Sequence, residues 1–210
     1  MNFLINLKKI KLDEKLNVLT HFFGLILSIV GAFFLLEKKN IEQSLQIANI
    51  IYLTSLISVF TTSTFYHASQ SKLKYILRKF DHISIFFLIA GTYTPFCLLT
   101  NYHLSGKYYL VLIWAIAIFG VILKIYFFNW SNKISLILYL VMGWVIIFDI
   151  NNVIKFIDLV ELLLLLIGGI LYTLGVFFYK MEKIKFNHSI WHIFVVLGAL
   201  FHYLLIYKLN

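Results

Sequence analysis

The chain has 210 residues, of which 61% are hydrophobic, 18% aromatic and only 13% charged, with a formal net charge of +9 and a mean hydropathy of +0.91. A soluble domain of this size must cover its surface with polar groups, so this composition excludes one. The basic excess would suggest nucleic acid in a soluble protein but here reads as membrane topology, and the single cysteine, Cys97, excludes an intrachain disulfide or a cysteine-rich metal site.

Residues 1–17 carry four lysines, Asp13 and Glu14, and read as a short amphipathic lead-in at the membrane surface. Seven apolar stretches of the length that crosses a bilayer follow, at 18–36, 45–67, 82–100, 108–128, 132–150, 159–179 and 189–207. The first is long enough to span, and no small-residue cleavage site follows before Glu37-Lys38-Lys39, so it is not read as a signal peptide. The second ends on His67. The connection 68–81, with Lys72, Lys74, Arg78 and Lys79, reads as a second surface segment held against anionic lipid. Pro95, the only proline, lies in the third stretch and predicts a bend there. Gly168, Gly169 and Gly175 in the sixth predict close helix packing. The tryptophans Trp114, Trp130, Trp144 and Trp191 read as packing and interfacial anchors.

No stretch shows the short period-two alternation of a membrane barrel, and no repeat or linker divides the chain. The predicted fold is therefore an all-α membrane protein, a seven-transmembrane helix bundle forming one domain over residues 1–210. Lysine and arginine alone set its orientation. With the N-terminus inside, the inner segments hold Lys8, Lys9, Lys11, Lys15, Lys72, Lys74, Arg78, Lys79, Lys124, Lys133, Lys180, Lys183 and Lys185, leaving Lys38, Lys39, Lys107, Lys155 and Lys208 outside. Thirteen of the 18 basic residues inside favour an inside N-terminus and an outside C-terminus.

That orientation puts His67, Asp81, His188 and His192 all near the inner ends of their helices. An ionisable residue at membrane depth is costly and marks a functional site by default. His188 and His192 are four apart, so both rings project from one helix face. A third imidazole, from another helix, would complete a three-histidine zinc site with an open fourth position for water. Ser63 stands one turn before His67, and Asp81 is placed either to orient a ligand histidine or to take a proton from that water. A metalloprotease pattern needs a glutamate after the first histidine; Ser189 occupies that place, so protease is excluded. Glu14, Asn17 and His21 share one face of the first helix, as a supporting shell, a proton path or simply as capping and packing groups. His82 points elsewhere from Asp81. His202, ten residues past His192 and about 15 Å deeper, reads as a hydrogen-bonding residue of the bundle. His103 falls in an outer connection without a partner.

Glu14-x-x-Asn17-x-x-x-His21, Ser63-Thr64-Phe65-Tyr66-His67, Asp81-His82-x-x-Ile85, Leu88-Ile89-Ala90-Gly91-Thr92-Tyr93-Thr94-Pro95-Phe96 and His188-Ser189-Ile190-Trp191-His192 together resemble the haemolysin III family. This is the bacterial branch related to the progestin and adipoQ receptors, and the resemblance covers nearly the whole chain. In the receptor branch it implies seven helices, an inside N-terminus and a zinc ion near the inner leaflet on three histidines matching His67, His188 and His192. It also implies a serine and an aspartate, matching Ser63 and Asp81, near the zinc-bound water.

Three function classes follow. One is a zinc-dependent hydrolase of a lipid amide or ester, with Asp81 and Ser63 as catalytic residues; receptor relatives and the more distant ceramidases imply such chemistry. A second is a pore-forming or haemolytic membrane protein. The third is a regulator of membrane state with structural zinc. Membrane lipids are the expected partners in each, nucleic acid is not, the cell membrane is the expected location, and the oligomeric state is left open.

Overall fold

The computed structural model describes residues 11–38, 41–70, 72–99 and 105–210. Lys8, Lys9, Lys39, His103 and the first ten residues of the lead-in lie outside them. The described elements are helical throughout: α1 (Leu12–Leu36), α2 (Gln43–Ala68), α3 (Leu73–Leu99), α4 (Ser105–Tyr126), α5 (Asn132–Trp144), α6 (Ile150–Val153), α7 (Leu159–Lys180) and α8 (Asn187–Leu209). A 3₁₀ turn, Val145–Asp149, joins α5 to α6. Counting Asn132–Val153 as one span, seven helical segments among the described residues are long and apolar enough to cross a membrane.

The burial pattern of α1 is inverted relative to a soluble bundle. On α1 the buried residues are Asn17, His21, Gly24, Ser28, Gly31 and Leu35, a stripe of polar and small side chains at alternating spacings of four and three. The large apolar residues Leu19, Phe22, Phe23, Ile26, Val30, Phe33 and Phe34 of the same helix are exposed. Lipid is as apolar as leucine, so burying leucine brings little gain there; close approach and interhelical polar contacts hold such helices together. Gly24 lies under the Phe60 ring of α2 and Gly31 under Tyr203 of α8, whose hydroxyl donates to the Gly31 carbonyl at 2.8 Å. The glycines of α7 do the same work. Gly168 receives His202, Gly175 receives Trp191 and Phe194, and Gly169 faces Trp144.

Three boundaries differ from the sequence reading. The first helix starts at Leu12 rather than at residue 18, so residues 12–17, expected in the surface lead-in, are its first turns. The third helix does not start after Asp81; it starts at Leu73. Residues 73–81, expected as a surface connection, are its first turns, because leucine, lysine and arginine are all good helix formers despite their low summed hydropathy. The fifth span is not a continuous α-helix. It breaks at Val145–Asp149, where Tyr93 of α3 stands opposite. The Tyr93 hydroxyl donates to the Met142 carbonyl at 2.9 Å and accepts from the Ile146 amide at 3.3 Å. A helix broken at membrane depth needs such a protein partner for its freed backbone groups.

The bundle has two polar ends. At one, Glu14 of α1, His67 of α2, Lys74 of α3 and Ser189 of α8 converge. At the other, Lys208 reaches Asp158 and Glu161 at the start of α7, Asn49 bonds Asn210, and Lys38 lies over the Tyr207 ring.

Candidate metal centre

α2 delivers His67 one residue before its final residue, and α8 delivers His188 at its second residue and His192 one turn later. One ligand nitrogen from each of the three lies within 4.8 Å of the others, close enough to share one ion. Ring centroids are 5.1 Å apart for His67 and His188, 4.9 Å for His67 and His192, and 4.6 Å for His188 and His192. His67 and His192 are buried and His188 half-buried.

The hydrogen-bond account of these rings is incomplete in an informative way. Nε2 of His67, Nε2 of His188 and both nitrogens of His192 are shielded and have no hydrogen-bond partner among the described residues. Buried polar atoms are almost always paired, and leaving one unpaired costs about 1–3 kcal/mol. Three imidazoles from two helices, each with an unpaired nitrogen and each within reach of the others, form a donor set that fits a borderline cation such as zinc.

Surrounding side chains fix the ligand geometry. His67 Nδ1 lies 2.5 Å from Glu14 Oε2. A carboxylate can only accept, so Nδ1 carries the proton and Nε2 is left as a lone pair facing the cluster. Lys74 holds the other Glu14 oxygen at 2.6 Å. Asn17 stands beside His67 and accepts from the Ser189 hydroxyl at 2.5 Å, tying α1 to α8 next to the ligands. His21, also buried, places its ring 3.7 Å from that of His192, with both nitrogens unpaired.

Ser63, one turn before His67, is buried with its hydroxyl turned toward the Asp81 carboxylate. Asp81 is buried on α3, near Ser63 and within electrostatic reach of His67, but it does not join the three-nitrogen group. Asp81 and His21 line one end of a cavity of about 120 Å³ between α3, α5, α7 and α8. Its walls are otherwise mainly apolar, including Ile85, Leu88, Leu140 and Val195, and His202 lines it at greater depth. His202 Nε2 is 3.3 Å from the Leu165 carbonyl, the hydrogen-bonding place read from the sequence. His82 turns away from the cluster, edge-on to Phe128.

Two partners escaped the sequence reading. Lys74 was read as a lipid-facing cation and instead pairs with Glu14. The contact of His21 with His192 is invisible along the chain, although Glu14, Asn17 and His21 on one helix face hinted at a shared direction.

Comparison with known proteins adds an independent view. Residues 10–203 match the family described as haemolysin-III related. The chain is 39% identical over 190 residues to Hemolysin-3 of Bacillus cereus, covering 89% of this chain and 87% of that one. It is 38% identical to the Hemolysin-3 homolog of Bacillus subtilis (strain 168), covering 89% of both. The human monocyte to macrophage differentiation factor is 31% identical over 206 residues, covering 93% of this chain and 84% of its own.

Proposed function

From the premise that this chain belongs to the haemolysin-III related family, we propose that it is a zinc-dependent hydrolase of lipid amides or esters, acting within the inner leaflet of the cell membrane. The observation that carries the reading is the triangle of unpaired imidazole nitrogens on His67, His188 and His192. These three residues would hold the ion. Zinc bound there supplies a Lewis acid that polarises a carbonyl and makes water acidic enough to attack at neutral pH.

The remaining steps belong to the chain itself. The Asp81 carboxylate, buried beside the triangle and lining the cavity, takes the proton from the attacking water at a carboxylate oxygen and returns it to the leaving nitrogen or oxygen. The Ser63 hydroxyl, beside Asp81, donates to the developing oxyanion. Glu14 keeps His67 in the tautomer whose Nε2 faces inward. The apolar walls from Ile85 to Val195 take up an acyl chain and exclude water from the reacting bond.

Relatives named Hemolysin-3 favour a second reading, membrane lysis, and a regulator with structural zinc is a third. The test is metal analysis of the detergent-purified full-length protein, beside His188→Ala/His192→Ala, followed by a lipid amide turnover assay and dye release from vesicles. The hydrolase reading expects about one zinc per chain, lost in a variant that stays helical, with turnover lost in parallel. Absence of metal after chelator-free purification would overturn it, and metal-independent dye release without turnover would favour lysis.

A further inference from the structure

A second polar assembly lies outside the three-histidine triangle, with the His82 ring on one of its edges. Phe128, in the turn joining α4 to α5, is buried and ringed by three cations. The Arg78 guanidinium carbon lies 5.5 Å from its ring centroid, Lys79 Nζ 5.8 Å and Lys124 Nζ 5.1 Å. Lys124 is fully buried, and among the described residues its ammonium bonds the Asn132 side-chain oxygen alone, at 2.9 Å. Lys79 is half-buried, bonding the Ile125 carbonyl near the end of α4 at 3.4 Å. Arg78 is half-buried too, and its five donors find no acceptor among the described residues.

Three cations around one ring repel one another, and a ring quadrupole offsets only part of that cost. No described carboxylate forms an ion pair with any of them. Asp81, three residues beyond Arg78 on α3, feels its charge without pairing with it. The cluster therefore holds a forked guanidinium and an ammonium, both half-buried, beside a fully buried third charge, with no carboxylate ion-paired to any of them among the described residues. Planar forks of this kind match phosphate oxygens.

The surroundings specify which phosphate. Tyr75, Ile76, Phe80, Ile125, Tyr126, Phe127 and Trp130 flank the cluster, each about half exposed or more. Exposed aromatic and aliphatic side chains at the end of spanning helices mark the headgroup level of a bilayer. We infer that Arg78 and Lys79, backed by Lys124, bind the phosphodiester of one anionic lipid whose acyl chains lie along the apolar face of α3 and α4. This site is independent of the metal-centre reading.

The test titrates the full-length protein in neutral detergent with phosphatidylglycerol or phosphatidylcholine in mixed micelles, and separately with inorganic phosphate. Arg78→Gln/Lys79→Gln is compared with Lys183→Gln/Lys185→Gln, which removes equal charge from exposed positions between α7 and α8. The expected result is preference for phosphatidylglycerol, weakened roughly tenfold or more in the first variant and retained in the second. The single variant Arg78→Gln, at a half-exposed side chain, repeats the comparison with less risk to folding. Equal weakening in both double variants would reduce the site to diffuse surface charge. Inorganic phosphate binding as tightly as the lipid would overturn the assignment to lipid.

Discussion

The proton on His67 is placed by Glu14: Nδ1 and Oε2 meet at 2.5 Å, joining α1 to α2 across 53 residues of chain. The nitrogen that faces the other two histidines is thereby left as a lone pair. Outer partners of this type typically contribute 10–100-fold to metal affinity. Glu14→Gln should weaken zinc binding by about that factor while helix content stays unchanged. Competition with a chromophoric chelator measures it, and an unchanged affinity would show that the contact does not orient the ligand.

Asp81 is close to the histidine triangle but does not belong to it. Asp81→Asn should therefore keep the metal and lose lipid turnover, by about 10²–10⁴-fold if the carboxylate moves the proton. Metal content and turnover measured on one preparation separate the two effects. Turnover that survives the substitution would remove Asp81 from the mechanism.

Tyr93 bonds Met142 just before the break in the fifth span and Ile146 within it. Tyr93→Phe leaves the Met142 carbonyl and the Ile146 amide without that partner, so the protein should lose about 1–2 kcal/mol of stability. Thermal unfolding in detergent followed by circular dichroism reports the loss. No change in melting would mean that water or lipid headgroups satisfy the break.

A methyl group at Gly91 would run into the Ser55 side chain of α2. Gly91→Ala should push α2 and α3 apart and cost about 1–3 kcal/mol. Adding Ser55→Gly should restore most of it, a coupling that a simple change of helix propensity would not give.

At the opposite end, the Lys208 ammonium and then the Glu161 amide hold the Asp158 carboxyl below the usual carboxylate range. A depressed folded-state value stabilises the protein above the unfolded value, near pH 4. The contribution is lost as pH falls through the folded value. Melting temperatures of wild type and Asp158→Asn should therefore differ by a constant amount from pH 5 to 8 and converge below about pH 4.

The seven spans were legible because a run of about 20 apolar residues has few alternatives to crossing a bilayer. The spacing of His188 and His192 was legible because a helix fixes it. The break at Val145–Asp149 was not, since Val-Ile-Ile-Phe reads as uninterrupted apolar helix and its hydrogen-bond partner, Tyr93, lies 53 residues away from Ile146. The start of α3 was hidden by Lys74, Arg78 and Lys79, which lower hydropathy without weakening the helix. The pairing of Lys74 with Glu14 spans 60 residues; no local rule distinguishes it from a lysine reaching toward lipid headgroups.

The histidine triangle draws on α2 and α8, and Asn17 and Ser189 brace it from 172 residues apart. During synthesis, α1 and α2 emerge as neighbours and can pair early, but His67 stays without its two companions until the final helix has entered the bilayer. Metal uptake at the triangle, under the proposed function, would then be a late event in biogenesis. An ion seated on all three rings would register that the last span had been inserted in register, and would hold the first and last parts of the chain together from that moment.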